Sequence, residues 1–121
     1  MEIKKLNTSI THIDKIFHIS DIHIRTLKRH KEYTEVFENM FLYLAQHATR
    51  SSICVVTGDI VHSKLDMSPE LINMLTKFFN GFDIPTIVML GNHDMNLNNL
   101  YRMDALSPVL DVIQNPNIHF I

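Results

Sequence analysis

Two rhythms of hydrophobic and polar positions alternate along this chain. Ile16-Phe17-His18-Ile19-Ser20 is a short apolar run that reads as a buried strand, with His18 packed rather than ligating. Ile53 to Thr57 is a second run, uninterrupted in the way of strands covered on both faces. Pro85 to Leu90 is a third, with proline tolerated at its first residue, and Ile118 to Ile121 begins a fourth. Between the runs the spacing lengthens. Tyr33, Val36, Phe37, Met40, Phe41 and Leu44 recur every three or four residues, which predicts a helix over Lys31–Ala48 with this stripe in the core. Ser68-Pro69-Glu70-Leu71 opens a second helix, with Ser68 as its cap and Pro69 at its first position. Its buried face is Leu71, Ile72, Leu75, Phe78 and Phe79, and Gly81 fits a left-handed residue that closes it. Leu100 to Ile113 is partly helical, with a break at Ser107-Pro108, and Gln114 to Asn117 is a turn. Before Ile16 the pattern is weak, with Ile3 and Leu6 suggesting a short strand.

Strand, helix and strand therefore alternate. That predicts an α/β fold of β-α-β-α-β units with a mainly parallel sheet and right-handed crossovers. In such sheets ligands collect beyond the carboxyl ends of the strands. Three polar motifs sit there: Asp21-Ile22-His23, Gly58-Asp59 and Gly91-Asn92-His93-Asp94.

Asp-x-His puts a carboxylate and an imidazole on one side of an extended segment, within reach of one ion. Asp59 has two oxygens and can bridge two metals. Asn92 can offer a carbonyl oxygen without adding charge. Gly58 and Gly91 let the chain turn sharply beside a ligand. His93 adjoins a ligand but points elsewhere in an extended backbone, which frees it to act as an acid or to contact a phosphate. Asp94 is placed to orient it. Carboxylate, imidazole and amide oxygen together suit manganese, iron or zinc better than calcium. Two such ions ~3.5–4 Å apart would activate water and stabilise an in-line displacement at phosphorus, and an imidazole titrating near neutral pH could protonate the leaving oxygen. Arg25, Lys28, Arg29 and Lys31 follow the first motif, either as a solvated loop or as phosphate contacts.

Composition narrows the setting. The chain has 121 residues, enough for one domain, and a net charge of -2, so no global basic field draws it to nucleic acid. Its one cysteine, Cys54, excludes an internal disulfide and reads as a core residue. No run approaches a membrane span, and no apolar leader follows Lys4 and Lys5, so a soluble, intracellular protein is expected. Among the 8 histidines, His12, His30 and His47 lie in polar surroundings and read as exposed.

The three motifs in this order resemble the signature of the calcineurin-like metallophosphoesterase superfamily. The resemblance covers Phe17 to about Leu110. Ile19 to Arg25, Thr57 to Lys64 and Arg102 to Pro108 look most like its SbcD-type branch, the nuclease subunit of the double-strand-break repair complex. That resemblance implies a manganese-dependent DNA exonuclease and endonuclease working with an SMC-like ATPase. It implies that Asp21 and His23 ligate a first metal, Asp59 bridges, Asn92 ligates a second and His93 is the acid or transition-state stabiliser. His62 matches a position that contacts the DNA phosphate region, though an exposed loop histidine is the other reading. The family fold is a two-sheet sandwich flanked by helices. Its later histidines are not matched, and His119 lacks their context. Residues 1–121 are therefore expected to be the N-terminal portion of one metallophosphoesterase domain, the first half of the sandwich, with little turnover alone. Two further readings stay open: another phosphoesterase acting on nucleotides or phosphoproteins, and a non-catalytic domain that binds the ATPase or a second copy of itself.

Overall fold

The structure, a computed structural model, describes residues 3, 5–6, 8–24, 30–58, 60, 69–89 and 113–121. Within them the order is β1 (Lys15–Ser20), α1 (His30–His47), β2 (Ser52–Thr57), α2 (Pro69–Asn80), β3 (Thr86–Met89) and β4 (Ile118–Phe120). The four strands form one sheet in the order β1-β2-β3-β4, and all three pairings are parallel. No strand occurs at Ile3 or Leu6. Ser68 and the segment expected to hold a third helix, apart from Ile113, lie outside the described residues.

Because the strand order follows the chain, crossovers of one hand bring every helix to the same side. Both described helices do pack on one face. Phe17 and Ile19 of β1, Cys54 and Val56 of β2, Val88 of β3, and Ile118 and Phe120 of β4 meet Phe37 and Leu44 of α1 and Leu71, Met74, Leu75, Phe78 and Phe79 of α2. Phe78 is the hub, with its ring 4.9 Å from Phe37, 5.2 Å from Phe79, 5.3 Å from Phe82 and 6.3 Å from Phe41. The turn before β4 fastens the end of α2. The Asn115 side-chain amide donates to the carbonyls of Phe79 at 3.0 Å and Phe82 at 2.9 Å.

The opposite face is largely open, and here three expectations are corrected. β1 is not buried on both sides: Ile16 is 61% exposed and His18 is exposed rather than packed. Met89 of β3 shares that face and is 44% exposed. Leu6, Thr8 and residues 10–13 lie beside Ile53 and Ile87 on the same face, around a shallow cavity of about 360 Å³. Val36 does not belong to the buried stripe of α1; it is 60% exposed, while Phe37 and Leu44 point inward. Gly81 is not left-handed. Glycine is needed there because a Cβ would come within 2.5 Å of the Phe41 ring.

Cys54 is fully buried, and that burial pushes its thiol from 9.0 up to about 12, with a hydrogen bond from the Val55 backbone acting the other way. In the unfolded chain the thiol ionises near its ordinary value. The neutral thiol's contribution to stability is therefore complete below about pH 9 and is lost as pH rises from there towards 12. At pH 8 a disulfide reagent is expected to label Cys54 only as fast as the chain unfolds. Rapid labelling of the native protein, compared with the rate in urea, would contradict this placement.

Candidate metal centre

The chain leaves β1 through Ser20 and enters two left-handed residues, Asp21 at φ 54° and His23 at φ 51°. Aspartate and histidine are among the few non-glycine residues enriched there, yet each still costs about 1–2 kcal/mol relative to ordinary backbone. The conformation is held from three sides. Ile24 is fully buried and Ile22 packs against the core, which draws the alternate residues inward. The Ile24 N–H donates to the carbonyl of Ile60 at 2.7 Å, tying the loop to the chain beyond β2. The Tyr33 hydroxyl, from the first turn of α1, donates to the carbonyl of His23 at 2.7 Å.

With the isoleucines inside, Asp21 and His23 turn outward together. Their side chains are 67% and 34% exposed, and Asp21 Oδ1 lies 3.6 Å from His23 Nε2. The expected convergence of carboxylate and imidazole is present, but not by the expected route. The segment is kinked by two left-handed residues rather than extended, because it must swing over the end of β2 while keeping Ile22 and Ile24 in the core. Ser20 Oγ donates to Asp21 Oδ2 at 2.9 Å, which leaves Oδ1 on the side of His23.

The neighbouring strand exits are stitched to this one. Gly58, at φ 60°, makes the sharp turn expected of it after β2. Its N–H donates to the carbonyl of Met89 at 2.6 Å, at the end of β3. His18 Nε2 and Thr57 Oγ1 are hydrogen-bonded at 2.8 Å across β1 and β2, on the open face. Gly58 and Ile60, on either side of Asp59 in sequence, are thus both fixed. Asp59 itself, Arg25, His62, Asn92, His93 and Asp94 lie outside the described residues.

Two donor atoms that share one ion at bond lengths of about 2.0–2.2 Å must lie within roughly 4 Å of each other. Asp21 Oδ1 and His23 Nε2 meet that condition, and carboxylate with imidazole suits a divalent transition metal. Among the described residues no group of three or more histidines, cysteines and acids gathers, so this pair is the described part of any such site. Reading the sequence missed Tyr33 as anything but core. The signal available was a hydroxyl in the first turn of the helix that follows Asp-x-His.

The profile of the calcineurin-like phosphoesterase family matches residues 14–120. The chain belongs to that family. Its members hydrolyse phosphoesters with divalent metals, and the parallel sheet with interleaved helices agrees with the first part of such a domain. The chain is also 47% identical over 112 residues to the uncharacterized protein R555 of Acanthamoeba polyphaga mimivirus. That match covers 90% of this chain and 8% of the viral protein, so the chain spans a small part of its relative's length. No helix among the described residues is long and apolar enough to cross a membrane.

Proposed function

We propose that this chain supplies the N-terminal half of the active site of a metal-dependent phosphodiesterase that cleaves DNA, of the SbcD type. The observation that carries the reading is the convergence of Asp21 Oδ1 and His23 Nε2 at the exit of β1, which is bonded to the exit of β2 as that is to the end of β3, in a chain of this family. The choice of DNA rests on the likeness of Ile19 to Arg25, Thr57 to Lys64 and Arg102 to Pro108 to that branch.

In this reading Asp21 and His23 hold a first divalent ion, Asp59 bridges to a second and Asn92 completes the chain's share of that one. Manganese is the first choice, with iron or zinc as substitutes. The ions supply charge neutralisation and activated water at the phosphorus. His93 gives a proton to the leaving oxygen or steadies the charge that grows there, and Asp94 orients its ring. Arg25 and His62 contact substrate phosphates. The open face of the sheet, with Ile16, His18 and Met89 on it, receives the second sheet of the sandwich. Purely parallel sheets are rarely left bare on one side, which supports that arrangement. An SMC-like ATPase is the proposed partner, and a second copy of the protein is another.

The test is digestion of linear duplex DNA by the full-length protein with manganese, run beside cyclic nucleotides and a phosphoprotein. Manganese-dependent loss of the duplex is expected. Turnover of cyclic nucleotides or phosphoprotein with none on DNA would sink the nuclease assignment and keep the family chemistry.

A further inference from the structure

We propose that Tyr33 is a positioning residue for the Asp21–His23 pair: its hydroxyl holds the His23 carbonyl so that the two side chains converge before any metal arrives. This rests on the reading of Asp21 and His23 as metal ligands. Two left-handed non-glycine residues lie within three positions here, and such backbone persists only where its surroundings over-determine it. Buried Ile24 and its bond to Ile60 fix the far end of the kink. Within the kink, α1 contributes the 2.7 Å bond from the Tyr33 hydroxyl to the His23 carbonyl.

Tyr33 is itself steadied for the task. It lies in the first turn of α1, half-buried, with its ring 6.1 Å from Phe37, and Phe37 is locked against Phe78. A helix packed on the core thus carries a donor to the carbonyl between the proposed ligand and the core. Rotating the peptide after His23 back towards ordinary backbone would break this bond. It would also turn the imidazole away from Asp21 Oδ1, now 3.6 Å distant. The hydroxyl need not touch the metal. It raises the fraction of protein whose ligand pair is already convergent, and apparent affinity scales with that fraction.

Tyr33→Phe removes only the hydroxyl. In the full-length protein, titrated with manganese chloride by calorimetry and by electron paramagnetic resonance of the free ion, it is expected to weaken binding about threefold to tenfold, the range of one lost hydrogen bond. At saturating manganese its turnover should return close to that of the parent. Phe79→Leu is the control, since it loosens the same core from α2 and leaves Tyr33 and the Phe37 ring beside it unchanged. It should lower the melting temperature and leave manganese affinity unchanged. Parent-like affinity in Tyr33→Phe would overturn the proposal, as would an equal loss of affinity in Phe79→Leu. If the parent binds manganese no better than Asp21→Asn does, the ligand assignment itself fails; a parent that binds tightly beside an unaffected Tyr33→Phe defeats only the role of Tyr33.

Discussion

Phe78→Ala is expected to destabilise the fold by about 3–5 kcal/mol, a large share of the total stability of a typical domain. The reason is position rather than size alone. Phe78 is fully buried and its ring contacts those of Phe37, Phe41, Phe79 and Phe82, so one deletion loosens α1, α2 and the turn after α2 together. The neighbours cannot all collapse into the space. Phe37 and Phe41 are carried by one helix, Phe79 is turned to Phe120 of β4 at 5.7 Å, and Phe82 is held by its carbonyl bonds to Asn115 and Asn117. Urea unfolding followed by circular dichroism checks this through a lowered midpoint at unchanged slope. Val36→Ala on the exposed side of α1 should stay within about 0.5 kcal/mol of the parent. A similar loss in both variants would mean that the aromatic cluster is not the centre of the core.

On the proposed ligand set, Asp21→Asn should lower manganese-dependent phosphoester hydrolysis by the full-length protein at least about 100-fold, since a neutral amide would stand where the proposal has a charged ligand. The substitution suits the site. Asparagine tolerates the left-handed backbone as aspartate does, and its oxygen can still accept the bond from Ser20. Stability should therefore stay near the parent value while metal affinity and turnover fall together. Asp21→Ala would add a backbone penalty of about 1–2 kcal/mol, because alanine lacks that tolerance. The difference in melting temperature between the two variants reads the strain apart from the charge. Parent-level hydrolysis in Asp21→Asn would remove Asp21 from the ligand set.

Much of this fold was legible because its signals are local. Repeats at three- and four-residue intervals placed α1 and α2, Pro69 marked the first residue of α2, and the apolar runs marked β1, β2, β3 and β4. The errors came where geometry depends on distant chain. Whether Ile16 and His18 are covered depends on which side the crossovers lie, and a run of five residues does not carry that information. Gly81 looks like a helix stop, yet its lack of a side chain serves Phe41, far away in sequence. Asp21 and His23 were recognised as partners by residue type, but the kink that joins them is set by Ile24 reaching Ile60 and by Tyr33 reaching back from α1. A side chain's chemistry is written in its own residue; the backbone angle that aims it is written in its neighbours.

The order of the sheet also bears on how the chain is made. Among the described strands each pairs with the one synthesised before it, so β2 finds β1 already present, β3 finds β2, and β4 finds β3. None of these four has to be threaded between two of the others already joined, a step that would reopen a formed ladder. The sheet can therefore lengthen sideways in step with the ribosome, and each helix can settle onto the pair of strands it has just connected.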